Sequence, residues 1–173
     1  ILSRETYEYG FDLSDVVVTD PSRVGYTFLR WNQNMPDFMP NQDLLFTAEY
    51  SINRYSISFN SNGGSTVQTI TQDYGTRVYA PEIPMKEGYS FLGWYKDENL
   101  TEMYVFNIFL EESDSLYAKW DINEYTLKYV DWDGTVLYQN VFEYGEDISQ
   151  VTVDAPTRIG HTFYLWHDVM PNE

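Results

Sequence analysis

The chain has 173 residues, no cysteine and a net charge of −17, set by 27 acidic against 10 basic side chains. A field of that sign repels nucleic acid and anionic lipid, so neither is expected as a partner. Without Cys there is no disulfide, thiolate zinc site or thiol nucleophile, and apolar runs of only a few residues predict no membrane insertion.

Taken in chain order, Asp12-Leu13-Ser14-Asp15-Val16 reads as a single helical turn with an early polar cap, halted by Pro21. Gly25 turns the chain into a strand, Tyr26-Thr27-Phe28, in which period two puts Tyr26 and Phe28 on one face. A further strand covers Phe46 to Tyr50, and residues 51–54 follow as a short connection. Tyr55-Ser56-Ile57-Ser58-Phe59 alternates apolar and polar, as a half-buried strand does. Asn62-Gly63-Gly64 then supplies the positive φ of a tight hairpin turn. The returning strand is placed at 66–72 and ends at Tyr74-Gly75, and residues 76–79 read as more extended than their counterpart at 12–16. Beyond Pro84 and Gly88 a third strand begins at Tyr89, and a last one, 116–120, puts Leu116, Ala118 and Trp120 on one face. Residues 121–124 lead directly into Tyr125–Tyr129, an Asp133-Gly134 turn, a strand at 135–142, Tyr144-Gly145 and a second helical turn at 147–151. Four residues reach only about 13–14 Å when extended, which predicts successive units nearly in line, as in a rod.

The order of elements repeats because the sequence does. Runs beginning at Pro21, Pro84 and Pro156 carry Pro, a base, Gly, an aromatic or His, Ser/Thr, Phe and Trp at offsets 0, 2, 4, 5, 6, 7 and 10. The recurring anchors are Gly25, Phe28 and Trp31, then Gly88, Phe91 and Trp94, then Gly160, Phe163 and Trp166. Ala48, Ala118 and Trp120 join them from the last strand. Residues 1–54 form a partial repeat lacking its first strand, 55–124 a complete one, and 125–173 a partial one lacking its last strand. The missing initiator Met and the incomplete outer copies predict a piece of a longer protein. A 70-residue repeat buries a small core. The 16 Tyr, 10 Phe and 5 Trp let a few large side chains fill it.

Phe59-Asn60-Ser61-Asn62-Gly63-Gly64, the Tyr-Gly pair, Gly88-Tyr89-Ser90-Phe91-Leu92-Gly93-Trp94-Tyr95 and Leu116-Tyr117-Ala118-Lys119-Trp120 together resemble the Listeria–Bacteroides repeat. That module is the B-repeat type of internalins and other bacterial surface proteins, and the resemblance covers essentially the whole chain. Copies one and three depart from it: Asp131-Trp132-Asp133-Gly134 replaces the Asn-Gly-Gly turn, and Arg30 and Leu165 replace Gly93. The resemblance implies a predominantly β, α+β unit of β-grasp-like (ubiquitin-like) type, displayed extracellularly at the cell surface or cell wall, without catalysis.

Repetition serves as an internal control on candidate sites: folding residues recur in every copy, whereas a unique site occupies a non-recurring position. Trp31, Trp94 and Trp166 recur and read as core anchors, although an exposed Trp of this kind could stack on a sugar ring. His161 stands in the slot of Tyr26 and Tyr89, and His167 in that of Asn32 and Tyr95, so neither reads as a catalytic base. Asp131, Asp133 and Glu143 lack the loop spacing of a Ca²⁺ site. The cluster Glu111-Glu112-Ser113-Asp114 reads as a solvated loop. No Lys recurs in a strand, so an isopeptide crosslink is not a property of the repeat. No metal, cofactor or catalytic residue is expected, and the chain reads as a spacer or stalk rather than an enzyme. The alternative is an adhesin-type module for a host protein or glycan. The incomplete terminal repeats also predict self-association, since an unpaired strand edge invites strand addition.

Overall fold

The computed structural model describes residues 3–166. Ten strands form among them: β1 Tyr26–Trp31, β2 Ala48–Ile52, β3 Arg54–Asn60, β4 Ile70–Asp73, β5 Arg77–Val78, β6 Tyr89–Tyr95, β7 Ile108–Phe109, β8 Asp114–Ile122, β9 Glu124–Val130 and β10 Val136–Glu143. The middle repeat builds a four-stranded sheet in the order β4-β3-β8-β6. Its central pair, β3 and β8, runs parallel with Ile57 opposite Asp114 and Asn60 opposite Tyr117. β4 closes one side as an antiparallel hairpin arm, with Arg54 opposite Asp73. β5 and β7 form a separate two-stranded ribbon. The first repeat contributes the antiparallel pair β1–β2 and the third the antiparallel pair β9–β10.

The alternating patterns decide which side of each strand is buried. In β8, Leu116 and Ala118 are fully enclosed while Tyr117 and Lys119 are half-buried on the other face. In β3, Ile57 is fully enclosed between partly covered neighbours. The hairpin turn takes the geometry its residues permit: Asn62 and Gly63 sit at φ 48° and 86°, and Gly64 N donates to Ser61 O at 3.0 Å. β4 begins only at Ile70, later than the 66–72 strand anticipated from sequence. At 161–166 the third repeat shows an isolated bridge between His161 and Arg158 in place of a strand.

The helical component of the expected fold is absent, so the α+β, β-grasp-like assignment is overturned: the described chain is all-β. The reason lies in the polar residues that were read as helix caps. Asp12 Oδ1 accepts from Ser14 N at 2.9 Å and Asp147 Oδ1 from Ser149 N at 2.8 Å, which is the local bonding of an Asx turn. Each turn closes with one bond to the residue three before it, Val16 N to Leu13 O and Val151 N to Ile148 O, both 3.0 Å. The β-branched residues that follow, Val16-Val17-Val18 and Val151-Thr152-Val153, disfavour any further helical turn. In the first repeat the segment is instead held extended, with Leu13 N donating to Asp37 O and Met39 N to Phe11 O. In the middle repeat the same stretch is β5.

The chain divides into two compact units. The first comprises Ile1–Pro84 with Gly93–Lys119, and the second Met85–Leu92 with Trp120–Glu173. The first unit holds the enclosed core of Leu13, Ile57, Val78, Trp94, Tyr95, Tyr104, Leu110, Leu116 and Ala118. Trp94 packs edge-on against Phe59 at 4.8 Å, with Phe106 beside Phe59. The second unit is held by ring contacts, Phe91 on Trp120 at 5.3 Å and Tyr129 on Trp166 at 4.8 Å. Among its described residues no apolar side chain is fully enclosed.

Candidate functional site: the junction between repeats

The connections read as four-residue links are each a single asparagine. β2 ends at Ile52 and β3 starts at Arg54; β8 ends at Ile122 and β9 starts at Glu124. Asn53 and Asn123 therefore stand where one repeat passes into the next, and the surrounding geometry is the same at both places. At the first junction, Asn53 N donates to Gly25 O at 2.9 Å and Asn53 O accepts from Tyr74 N at 2.8 Å. The Asn53 side chain accepts from Thr27 Oγ1 at 2.6 Å. At the second, Asn123 N donates to Gly88 O and Asn123 O accepts from Tyr144 N, both at 2.8 Å. Here the side chain accepts from Ser90 Oγ at 2.6 Å. The backbone N–H, the backbone carbonyl and the side-chain oxygen of each connecting asparagine are all bonded, which a flexible linker would not require.

Glycine is essential at the two contact points for two separate reasons. Gly25 and Gly88 have φ of 76° and 75°, a region that side chains with a Cβ resist. A Cβ on Gly25 would also collide with the Tyr74 ring, and one on Gly88 with the Tyr144 ring. Each Tyr thus lies flat against the glycine of the preceding repeat. A base caps each aromatic that follows the glycine: the Arg23 guanidinium sits 3.8 Å over Tyr26, and Lys86 Nζ 4.1 Å over Tyr89.

The junctions differ in charge. Arg54 and Asp73 face each other across β3 and β4 and form an ion pair at 3.3 Å. At the second junction the same positions hold Glu124 and Glu143, two like charges directly opposed. With Asp121, Ser90 and Asn123 they line a shallow, open cleft of about 670 Å³. A hydrogen bond to Glu87, with a smaller contribution from partial desolvation, pushes the Tyr144 phenol above its ordinary pKa. Among the described residues no group of three or more His, Asp or Glu side chains is arranged to hold a metal.

The remaining candidates fall as follows. Trp94 and Ala118 are enclosed, while Trp31, Trp120, Trp166, Phe28, Phe91 and Ala48 are partly covered and Phe163 is exposed. Two ring pairs recur: Phe28 on Tyr50 matches Phe91 on Trp120, and Phe59 on Trp94 matches Tyr129 on Trp166. Gly160 keeps the backbone angle of the other two anchors, φ 75°. Asp133 accepts from Thr135 N in the hairpin turn, and that bond lowers its pKa. His161 is exposed on its turn, and His167 lies outside the described residues. Sequence reasoning missed Asn53, Asn123, Tyr74 and Tyr144 as a set. The signal that could have found them was their recurrence at matching offsets.

A model of the Listeria–Bacteroides repeat domain matches three times, at residues 2–48, 55–119 and 125–169. A protein of Evansella cellulosilytica named as a Gly-rich membrane protein is 39% identical over 155 residues, 83% of this chain and 18% of that one. A second protein of the same organism, named as a membrane protein, is 38% identical over 86% of this chain and 24% of its own length. Internalin H of Listeria monocytogenes is 35% identical over 44% of this chain and 15% of its own length. The chain thus spans less than a quarter of each of these three relatives. No solved structure matches it significantly. Three matches that together take in most of the sequence place the chain in the Listeria–Bacteroides repeat family.

Proposed function

We propose that the chain is a non-catalytic repeat segment of a bacterial cell-envelope protein, where it acts as a spacer holding another domain away from the surface. One observation carries this reading: two successive junctions reproduce the same Gly, Asn and Tyr contacts, so the invested chemistry lies in joining repeats. The surface-protein context of the relatives supports a position on the cell envelope. The test is display on a bacterial cell, with the chain inserted between a wall anchor and an antibody epitope. Antibody access should exceed that given by a flexible Gly/Ser linker of equal length, whose mean span is only about 70 Å. Equal access from the two inserts would refute the spacer reading.

An adhesin role is the second reading, favoured by two exposed rings, Phe109 on the β5–β7 ribbon and Tyr79 just after β5. Saturable binding of the chain to a host protein or glycan, lost on Tyr79→Ala or Phe109→Ala, would establish it.

A further inference from the structure

A chain that holds one domain away from a surface is under tension along its length, and that tension enters and leaves each repeat through particular strands. In the middle repeat these are β3, which starts directly after Asn53, and β8, which ends directly before Asn123. The two are neighbours at the centre of the sheet β4-β3-β8-β6. They run parallel, with Ile57, Ser58, Phe59 and Asn60 opposite Asp114, Ser115, Leu116 and Tyr117. Because they are parallel, the start of β3 and the end of β8 lie at opposite ends of the pair. Tension between Asn53 and Asn123 therefore slides the strands past each other, and the evenly spaced bonds of a parallel ladder are loaded together. Pulled apart from one end, the same bonds would break one after another.

Side chains extend this ladder at both ends. Ser56 N donates to Ser113 Oγ at 3.0 Å, ahead of the first registered pair, and Asn62 Nδ2 donates to Ala118 O at 2.7 Å, beyond the last. Between them the Ser58 and Ser115 hydroxyls share a bond of 2.8 Å across the two strands. The opposite face of the pair is sealed, with Ile57, Leu116 and Ala118 fully enclosed. Flanking strands β4 and β6 keep the pair away from the sheet edges. Shielding from water strengthens the bonds it covers.

We propose that β3 and β8 form a load-bearing clamp, so that the repeat resists tension along the chain through shear of this parallel pair. The proposal rests on the spacer reading, since tension reaches a repeat only in a chain held at both ends. Asn53 and Asn123 pass the load from the last strand of one repeat to the first strand of the next, β2 to β3 and β8 to β9. The backbone bonds that hold each asparagine then lie at the two points where load enters and leaves the clamp.

Single-molecule pulling on the whole chain, through pairs of cysteines introduced where the parent has none, separates direction from stability. Arg54→Cys with Asp121→Cys attaches handles at opposite ends of the pair and shears it. Arg54→Cys with Glu112→Cys attaches them at one end and peels it, and Glu111→Cys in place of Glu112→Cys gives a second peeled pair. All four positions are exposed. Each event is identified by the chain it frees, about 220–240 Å for the sheared pair and about 190–210 Å for the Glu112 pair, less the folded span. Urea denaturation should give all variants the same stability. At one pulling rate the sheared variant should nevertheless unfold at a several-fold higher force, because four registered pairs share the load and forced unfolding follows the unfolding rate rather than the equilibrium. Equal forces in the two directions, or a peeled variant that resists more than the sheared one, would overturn the clamp. Equal forces alongside improved antibody access in the display experiment refute the clamp alone. Unequal forces alongside unimproved access refute the spacer alone.

Discussion

Replacing Gly25 by Ala separates two costs that a glycine at a junction conceals. The first is backbone strain: at φ 76° a residue with a Cβ loses about 1–2 kcal/mol. The second is specific to the junction, because the added methyl meets the Tyr74 ring and that ring must leave its place. Displacement breaks the edge-on contact between Tyr74 and Tyr55, 6.4 Å between centroids, and such pairs contribute about 0.5–1.5 kcal/mol. It also strains the bond between Tyr74 N and Asn53 O, a net contribution of about 0.5–1.5 kcal/mol. Gly25→Ala should therefore destabilise by about 2–5 kcal/mol. Gly10→Ala supplies the control, since Gly10 has φ 80° with open space around it and should lose only the strain. Urea denaturation measures both. In a Tyr74→Ala background the collision disappears, and Gly25→Ala should cost no more than Gly10→Ala, a coupling of about 1–3 kcal/mol. Equal costs for the two glycines in the parent chain, or no coupling to Tyr74, would show that the ring contact contributes nothing.

Trp94→Ala, which removes an enclosed ring set edge-on against Phe59, should cost about 3–5 kcal/mol by denaturation; an unchanged melting temperature would refute its place in the core. Glu124→Arg restores at the second junction the pairing that Arg54 and Asp73 make at the first, and should stabilise by about 0.5 kcal/mol, less at high salt. No gain at low salt would show that the Glu124 and Glu143 charges do not interact. The bond from Glu102 N, joined by those from Thr101, holds the Asp97 carboxyl below its ordinary 3.8, so its stabilising effect is complete above that pH and is lost as pH falls through the lower, folded value. The stability difference between the parent and Asp97→Asn should therefore be constant from pH 7 to about 5 and narrow below about 4; a difference that does not change with pH would refute it.

What the sequence showed and what it hid follow from the range of the forces involved. The alternation in Tyr55–Phe59 and Tyr125–Tyr129 and the turns at Gly63 and Gly134 are local, and β3, β9 and both turns formed where the pattern placed them. The parallel pairing of β3 with β8 joins Ile57 to Asp114, and no local pattern specifies a partner at that separation. The helical turns were misread because Asp followed by Ser is the signature of both a helix cap and an Asx turn. Those two differ only in what comes next, and Val17-Val18 and Thr152-Val153 favoured the extended chain. Asn53 and Asn123 were visible as recurring residues but were counted as connection, because a residue between two strands gives no sign of how many bonds it makes. The same internal control that marked Trp94 as core would have marked them as junction.

Why so much chemistry sits at the junction follows from the size of the repeat. A 70-residue unit encloses little apolar surface, and among the described residues of the second unit ring contacts stand where no apolar side chain is fully enclosed. In a tandem array the stability of each repeat includes the interface with its neighbour, so strengthening that interface raises the stability of both repeats it joins. Backbone bonds through one asparagine, with a glycine cleared for a tyrosine ring, achieve this without cysteine. They also leave the exposed faces free to vary, as the change from Arg54–Asp73 to Glu124–Glu143 shows. The faces can diverge from copy to copy because the glycine, asparagine and tyrosine that join the repeats do not.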